Sequence, residues 1–200
     1  MSGNYLANPL TFLISTLFSL YILALMLRFL LQWVRADPRN PISQVLIRVT
    51  QPVLQPLRRY LPAIGGADTA SIVLMLIVQF VAVALVFAIR GVDFNLLFMA
   101  LMSLGEVIKL MLNVFLVVVI IRVLISWAQA FGIANPDTSN PALRVIDQLA
   151  EAVMAPVQRI LPPMGGLDLS PLVVLIGIQL IKMLVLGPSG PLPTMSMMMY

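Results

Sequence analysis

The sequence predicts an all-α integral membrane protein of two tandem two-span repeats, four transmembrane helices in all, with a cytoplasmic amphipathic in-plane helix in each repeat. Three observations predict it. Sixty per cent of the 200 residues are hydrophobic and only 10% charged, with a mean hydropathy of +1.03. A soluble domain usually carries about a quarter charged residues and could not hide this much apolar surface. The chain also repeats itself. Arg28 and Trp33 recur as Arg122 and Trp127, and Asn40-Pro41 recurs as Asn140-Pro141. Pro56, Arg59, Leu61-Pro62, Gly65-Gly66 and Asp68 recur as Pro156, Arg159, Leu161-Pro162, Gly165-Gly166 and Asp168. The offset is 94 residues up to the tryptophans and 100 from the Asn-Pro pairs onward, which means two like units side by side. Finally, basic residues gather in one loop: Arg35, Arg39, Arg48, Arg58 and Arg59, with Arg144 and Arg159 in its repeat.

Crossing a bilayer takes about 20 apolar residues. The first span is placed at about 10–33, where the run from Leu10 continues through Arg28 to Trp33. The second, at about 70–90, contains 20 uncharged residues from Ala70 to Ile89. Phe94 to Trp127 is too long for one upright span, and the repeat places the third at about 104–127, with Phe94–Ser103 a lead-in or an extension of it. The fourth, at about 170–186, is shorter and holds Lys182. The repeats thus cover 1–93 and 94–187, and the Pro-, Ser- and Met-rich residues 188–200 form a loose tail.

Between paired spans, residues 41–59 and 141–159 show apolar positions at helical spacing: Ile42, Val45, Leu46, Val49 and Val53, then Leu143, Ile146, Leu149 and Val153. Such a helix either lies in the headgroup plane or folds back against the spans. Pro52 and Pro56 are expected to bend or end the first copy, because each removes a backbone donor. The second keeps only Pro156 and can run longer. The Gly65-Gly66 and Gly165-Gly166 pairs permit a tight turn, after which Asp68 and Asp168 stand where helix N-caps belong. Positive-inside places both long loops in the cytoplasm and both termini in the periplasm of a bacterial inner membrane.

Few residues are equipped for chemistry. With no Cys and no His, thiolate zinc sites, disulfides, haem ligation by His, and Ser-His or Cys-His pairs are excluded. The terminal methionines are a weak copper signal, so no cofactor or metal is expected. A net charge of +4, mostly in one loop, argues against nucleic acid. Arg28 and Arg122 lie inside apolar runs, where a central Arg costs about 2.5–3.5 kcal/mol and needs a partner or an exit. They either snorkel to the headgroups or pair with Asp68 and Asp168, and a swapped Arg28–Asp168 pair would lock the repeats together. Glu106, Lys109 and Lys182 have no charged counterpart in the first repeat. They form either an ion or proton site or an ordinary ion pair. Gln79 and Gln179 match at mid-span and either line a hydrophilic path or bond across helices.

The combined Arg…Trp, Asn-Pro, Pro-x-x-Arg-x-Leu-Pro and Gly-Gly-x-Asp elements resemble the YggT family of small bacterial inner-membrane proteins, over nearly all of Leu10–Leu186. The first copy departs after Asp68, reading Thr69-Ala70-Ser71 against Leu169-Ser170-Pro171. The resemblance implies a link to osmotic shock and potassium handling, or, through plastid relatives, to division or nucleoid organisation; it implies no catalytic residue. Two functions follow as expectations: a transport or channel-like component of osmotic-stress and ion homeostasis, or a non-transporting scaffold for membrane or division proteins. A continuous polar cavity would favour the first, and an interior sealed by apolar side chains the second. No enzyme is expected, since no nucleophile–base pair is present. The expected partners are the lipid bilayer, other membrane proteins and further copies of the chain.

Overall fold

The computed structural model describes residues 7–61, 68–132, 140–160, 169–187 and 190–195. The described residues form six helices: α1 (Ala7–Trp33), α2 (Pro41–Arg58), α3 (Thr69–Arg90), α4 (Leu96–Ala130), α5 (Pro141–Ile160) and α6 (Ser170–Leu186). Residues 8–33, 69–90 and 96–129 are long and apolar enough to cross a membrane, and Ser170–Leu186 is a shorter apolar helix. The outer faces agree with that reading. Phe12, Leu17 and Leu20 on α1, Leu124 on α4, and Leu172 and Leu184 on α6 are all exposed, a surface that water would not tolerate but lipid does.

Helices α1, α3, α4 and α6 carry apolar side chains on all sides, so packing rather than amphipathic patterning sets their neighbours. α1 packs chiefly on α3, α3 on α4, and α4 on α5 and α6. One apolar core runs through them, centred on Ile22, Leu25, Met26, Leu30, Leu74 and Met75, and continuing to Phe115, Val119, Leu149 and Ile178. Trp33 meets Phe115 edge-on, with ring centroids 6.4 Å apart at 70°, and so ties α1 to α4. The Asn-Pro pairs have a role that the spacing alone did not reveal. Asn40 and Asn140 accept from the amides of Ile42 and Ala142, each at 2.9 Å, which caps α2 and α5. Asn40 also donates through Nδ2 to the Pro141 carbonyl at 2.8 Å and clamps one repeat to the other.

Phe94–Ser103 is not a separate element: from Leu96 onward it belongs to α4, whose 35 residues extend about 50 Å. That exceeds the ~30 Å hydrocarbon layer, so α4 tilts or projects. Its first turns are covered by a second cluster of Val83, Phe87, Met99 and Met102. Residues 190–195 complete this cover and in that stretch are not loose. Thr194 is buried, Met195 packs on the second cluster, and the Met195 amide donates to Glu106 Oε1 at 2.7 Å. Gly105 makes the docking possible, since a Cβ there would come 2.5 Å from the Pro193 carbonyl oxygen.

Neither Pro52 nor Pro56 ends α2, which continues through both to Arg58. The carbonyls that they leave unpaired belong to Arg48 and Pro52, one helical turn earlier, and both residues are exposed. Solvent can therefore replace the missing donors. α5 does run longer, at 20 residues against 18. α2 is not the return arm of a hairpin on α1. Thr50 meets Arg28, whereas Arg58, eight residues on, meets Gln32 instead of a position further back along α1. α2 therefore crosses α1, near its tryptophan end.

Candidate functional site

Arg28 is 7% exposed and is met by α2. Its guanidinium donates to Thr50 Oγ1 at 2.6 Å and to Gln51 Oε1 at 2.7 Å. The Thr50 hydroxyl donates in turn to the Leu46 carbonyl at 2.6 Å, leaving its oxygen lone pairs free to accept. No Arg28–Asp68 pair is formed: the guanidinium reaches two neighbouring side chains of α2 instead. Asp68 takes a different partner. Its carboxylate accepts from Arg58, which also reaches Gln32 Oε1 at 3.5 Å, and from the Ser71 hydroxyl at 2.7 Å. Asp68 occupies the N-cap position of α3 but makes no side-chain cap bond. Burial works to raise its carboxyl. The hydrogen bonds from Arg58 and Ser71, with the charge of Arg58, outweigh that and hold it below the ordinary carboxylate range.

The second repeat answers Arg28 with Arg122, and again the partner lies on the helix that follows. Arg122 Nε stands 3.1 Å from Asp147 Oδ1, with the two side chains 39% and 50% exposed. Asp147 corresponds to Ile47, one turn from the Gln51 that Arg28 uses. Each span arginine is thus latched to its own loop helix, through neutral acceptors in the buried first copy and through a carboxylate in the half-exposed second. Asp168, with Gly65, Gly66, Gly165 and Gly166, lies outside the described residues.

Glu106, Lys109 and Lys182 do not share one cluster. Lys109 Nζ is 3.4 Å from Glu106 Oε1, an ion pair one turn apart that also receives the Met195 amide. Lys182 turns instead to Asn113 Oδ1 at 2.8 Å and joins α6 to α4. Asn113 escaped the sequence reading because it carries no charge, although it lies four residues after Lys109 on the same face. Gln79 is half-buried and Gln179 exposed, and neither side chain has a hydrogen-bond partner among the described residues. No group of three or more acidic residues that could hold a metal ion occurs among the described residues.

The duplication is also found on comparison with known proteins. The CCB3/YggT family description matches twice, over residues 7–89 and 101–189. The chain belongs to the CCB3/YggT family. A Pseudomonas aeruginosa relative is 41% identical over 178 residues, covering 88% of this chain and 87% of its own length. A Vibrio alginolyticus protein encoded in the proC 3′ region is 40% identical over 92% of this chain and 97% of its own. YggT of Escherichia coli K12 is 33% identical over 88% of each. No solved structure matches.

In this CCB3/YggT chain a groove of about 460 Å³ lies between α3 and α4, lined by Val73, Ile77, Phe80, Val81, Leu101 and Leu104 among others. It is almost entirely apolar and holds none of the charged residues above. The polar groups instead sit in two separate places: at the tryptophan ends of α1 and α4, where the latches are, and along the α4–α6 seam.

Proposed function

We propose that this CCB3/YggT protein is a membrane scaffold, with four spans and with the faces of α2 and α5 on the cytoplasmic side as its working surface. The observation that carries the reading is the interior. Its buried core is dominated by Ile, Leu, Met, Val and Phe; the buried Arg28 and Thr50, and Asp68 and Ser71, are engaged in pairs rather than lining a passage, and the Tyr21 and Ser43 hydroxyls are buried singly among the described residues. A conduit needs polar groups that replace water around an ion at depth. The Asn113–Lys182 bond across the α4–α6 seam, with the Glu106–Lys109 pair on α4, favours the second reading, a role in osmotic-stress or ion transport. In that case a path would follow the seam.

Flux measurement separates the two. Purified protein in potassium-loaded liposomes is expected to add no flux beyond protein-free vesicles. In cells, Lys182→Met is expected to leave any osmotic-shock phenotype unchanged, while Glu151→Gln with Arg159→Gln, on the exposed face of α5, removes it. Protein-dependent flux that Glu106→Gln or Lys182→Met alters would replace the scaffold by the transporter.

The orientation rests on the five arginines of the first loop. Because the chain has no native Cys, a single Gln55→Cys variant is expected to resist an impermeant thiol reagent in intact cells. Asp93→Cys, at the opposite ends of the spans, is expected to react. The reverse order would invert the topology.

A further inference from the structure

The two loop helices are equivalent by sequence but not by surface. α2 has three sectors. Ser43, Thr50 and Leu54 face the bundle. A second, apolar row at four-residue spacing is left outside: Val45, Val49 and Val53 are 59%, 51% and 44% exposed, with Tyr60 beyond them. Beside that row runs a polar stripe of Gln44, Arg48, Gln55 and Arg59, all exposed. Arg48 and Arg59 are eleven residues apart, three helical turns, and so project from one line. Neither side chain makes an ion pair or hydrogen bond among the described residues. α2 carries Arg48, Arg58 and, at its C-cap, Arg59, with no acidic residue.

α5 keeps neither property. The counterparts of Val45 and Val49 are Val145 and Leu149, 7% and 1% exposed. The counterpart of Arg48 is Gln148, and Arg144 and Arg159 are balanced by Asp147 and Glu151. Duplication supplied one helix twice, and only the first has an uncovered apolar row flanked by unpaired positive charge. A helix of that kind lies at the acyl–headgroup boundary, with its basic stripe toward the phosphates. The exposed Trp33, at the end of α1 that α2 crosses, marks the same boundary.

We propose that α2, and not α5, is a seat for anionic phospholipid: Val45, Val49 and Val53 enter the acyl layer while Arg48 and Arg59 engage the lipid phosphates. This rests on the reading that α2 lies at one membrane face.

The absence of native Cys makes the test direct. In proteoliposomes, a bimane label on Val49→Cys is expected to be quenched by brominated phosphatidylglycerol at a mole fraction about 25-fold lower than by brominated phosphatidylcholine, two basic residues contributing about fivefold each. Arg48→Gln and Arg59→Gln, both exposed and outside the folded core, should each erode the preference by about fivefold, the factor matching about 1 kcal/mol per basic residue at an anionic surface. Arg159→Gln should leave it intact. Equal quenching by the two lipids, or loss with Arg159→Gln as well, would overturn the anionic seat while leaving α2 in the interface. Absence of quenching by either lipid, as when a second copy or another protein covers the row, would overturn the seat and the membrane placement of α2 together.

Discussion

Arg58→Met is expected to lower the stability of the folded protein by about 2–3 kcal/mol, somewhat below the ~3–5 for breaking a fully buried pair, because Arg58 keeps 35% of its side-chain exposure. The loss comes from the partner. The Asp68 side chain is 6% exposed and, among the described residues, would keep Ser71 alone as a side-chain donor to a buried charge. Asp68→Asn added to Arg58→Met should recover much of the loss, since no charge is then stranded; a thermal-unfolding series in micelles measures the non-additivity. Acid gives an independent reading. The folded carboxyl is held below its ordinary value of about 3.9, so its contribution is fully present above that pH and is lost as the pH falls through the folded value. Asp68→Asn should remove that acid-dependent step. Strict additivity, or an unchanged acid response in Asp68→Asn, would mean that the pair carries no stability.

The second large effect separates the two arginine latches. Thr50→Val with Gln51→Leu takes both described acceptors from the buried Arg28 guanidinium and should cost about 3 kcal/mol, at about 1.5 for each charge-assisted hydrogen bond. The corresponding change in the second repeat, Asp147→Leu, should cost under about 1 kcal/mol, because Arg122 and Asp147 are each 39% exposed or more and water replaces the lost partner. Melting temperatures of the two variants, compared side by side, decide the matter. Equal losses would show that burial does not distinguish the repeats.

Some features of the latches were legible in the sequence. That Arg28 and Arg122 need partners follows from charge set in an apolar run. Which partners they take does not. Thr50, Gln51 and Asp68 all lie on the loop that follows Arg28, and only the way α2 crosses α1 brings the first two to the guanidinium and leaves Asp68 to Arg58. The α4–α6 seam behaves similarly. A charge count draws Lys182 toward Glu106, but α6 pairs with α4 at the level of Asn113. Pro52 and Pro56 do not end α2, for a local reason: the donors they remove matter only where solvent cannot replace them, and periodicity does not report which face is wet.

By itself the sequence determined that this is a membrane protein of apolar helices, a duplicated unit, and a member of the CCB3/YggT family. Those properties rest on composition, run length and spacing, which are written along the chain and need no knowledge of which segments touch. The tertiary structure alone decided the partners of Arg28, Asp68 and Lys182, the continuity of α4 and the docking of residues 190–195. It also decided the unequal exposure of two helices that match position for position. The reason is that burial and hydrogen bonding are set by distances between segments far apart in sequence. Two copies of one pattern meet different neighbours: α2 packs on α1 and α3, whereas α5 packs on α4 and α6 and also touches α1.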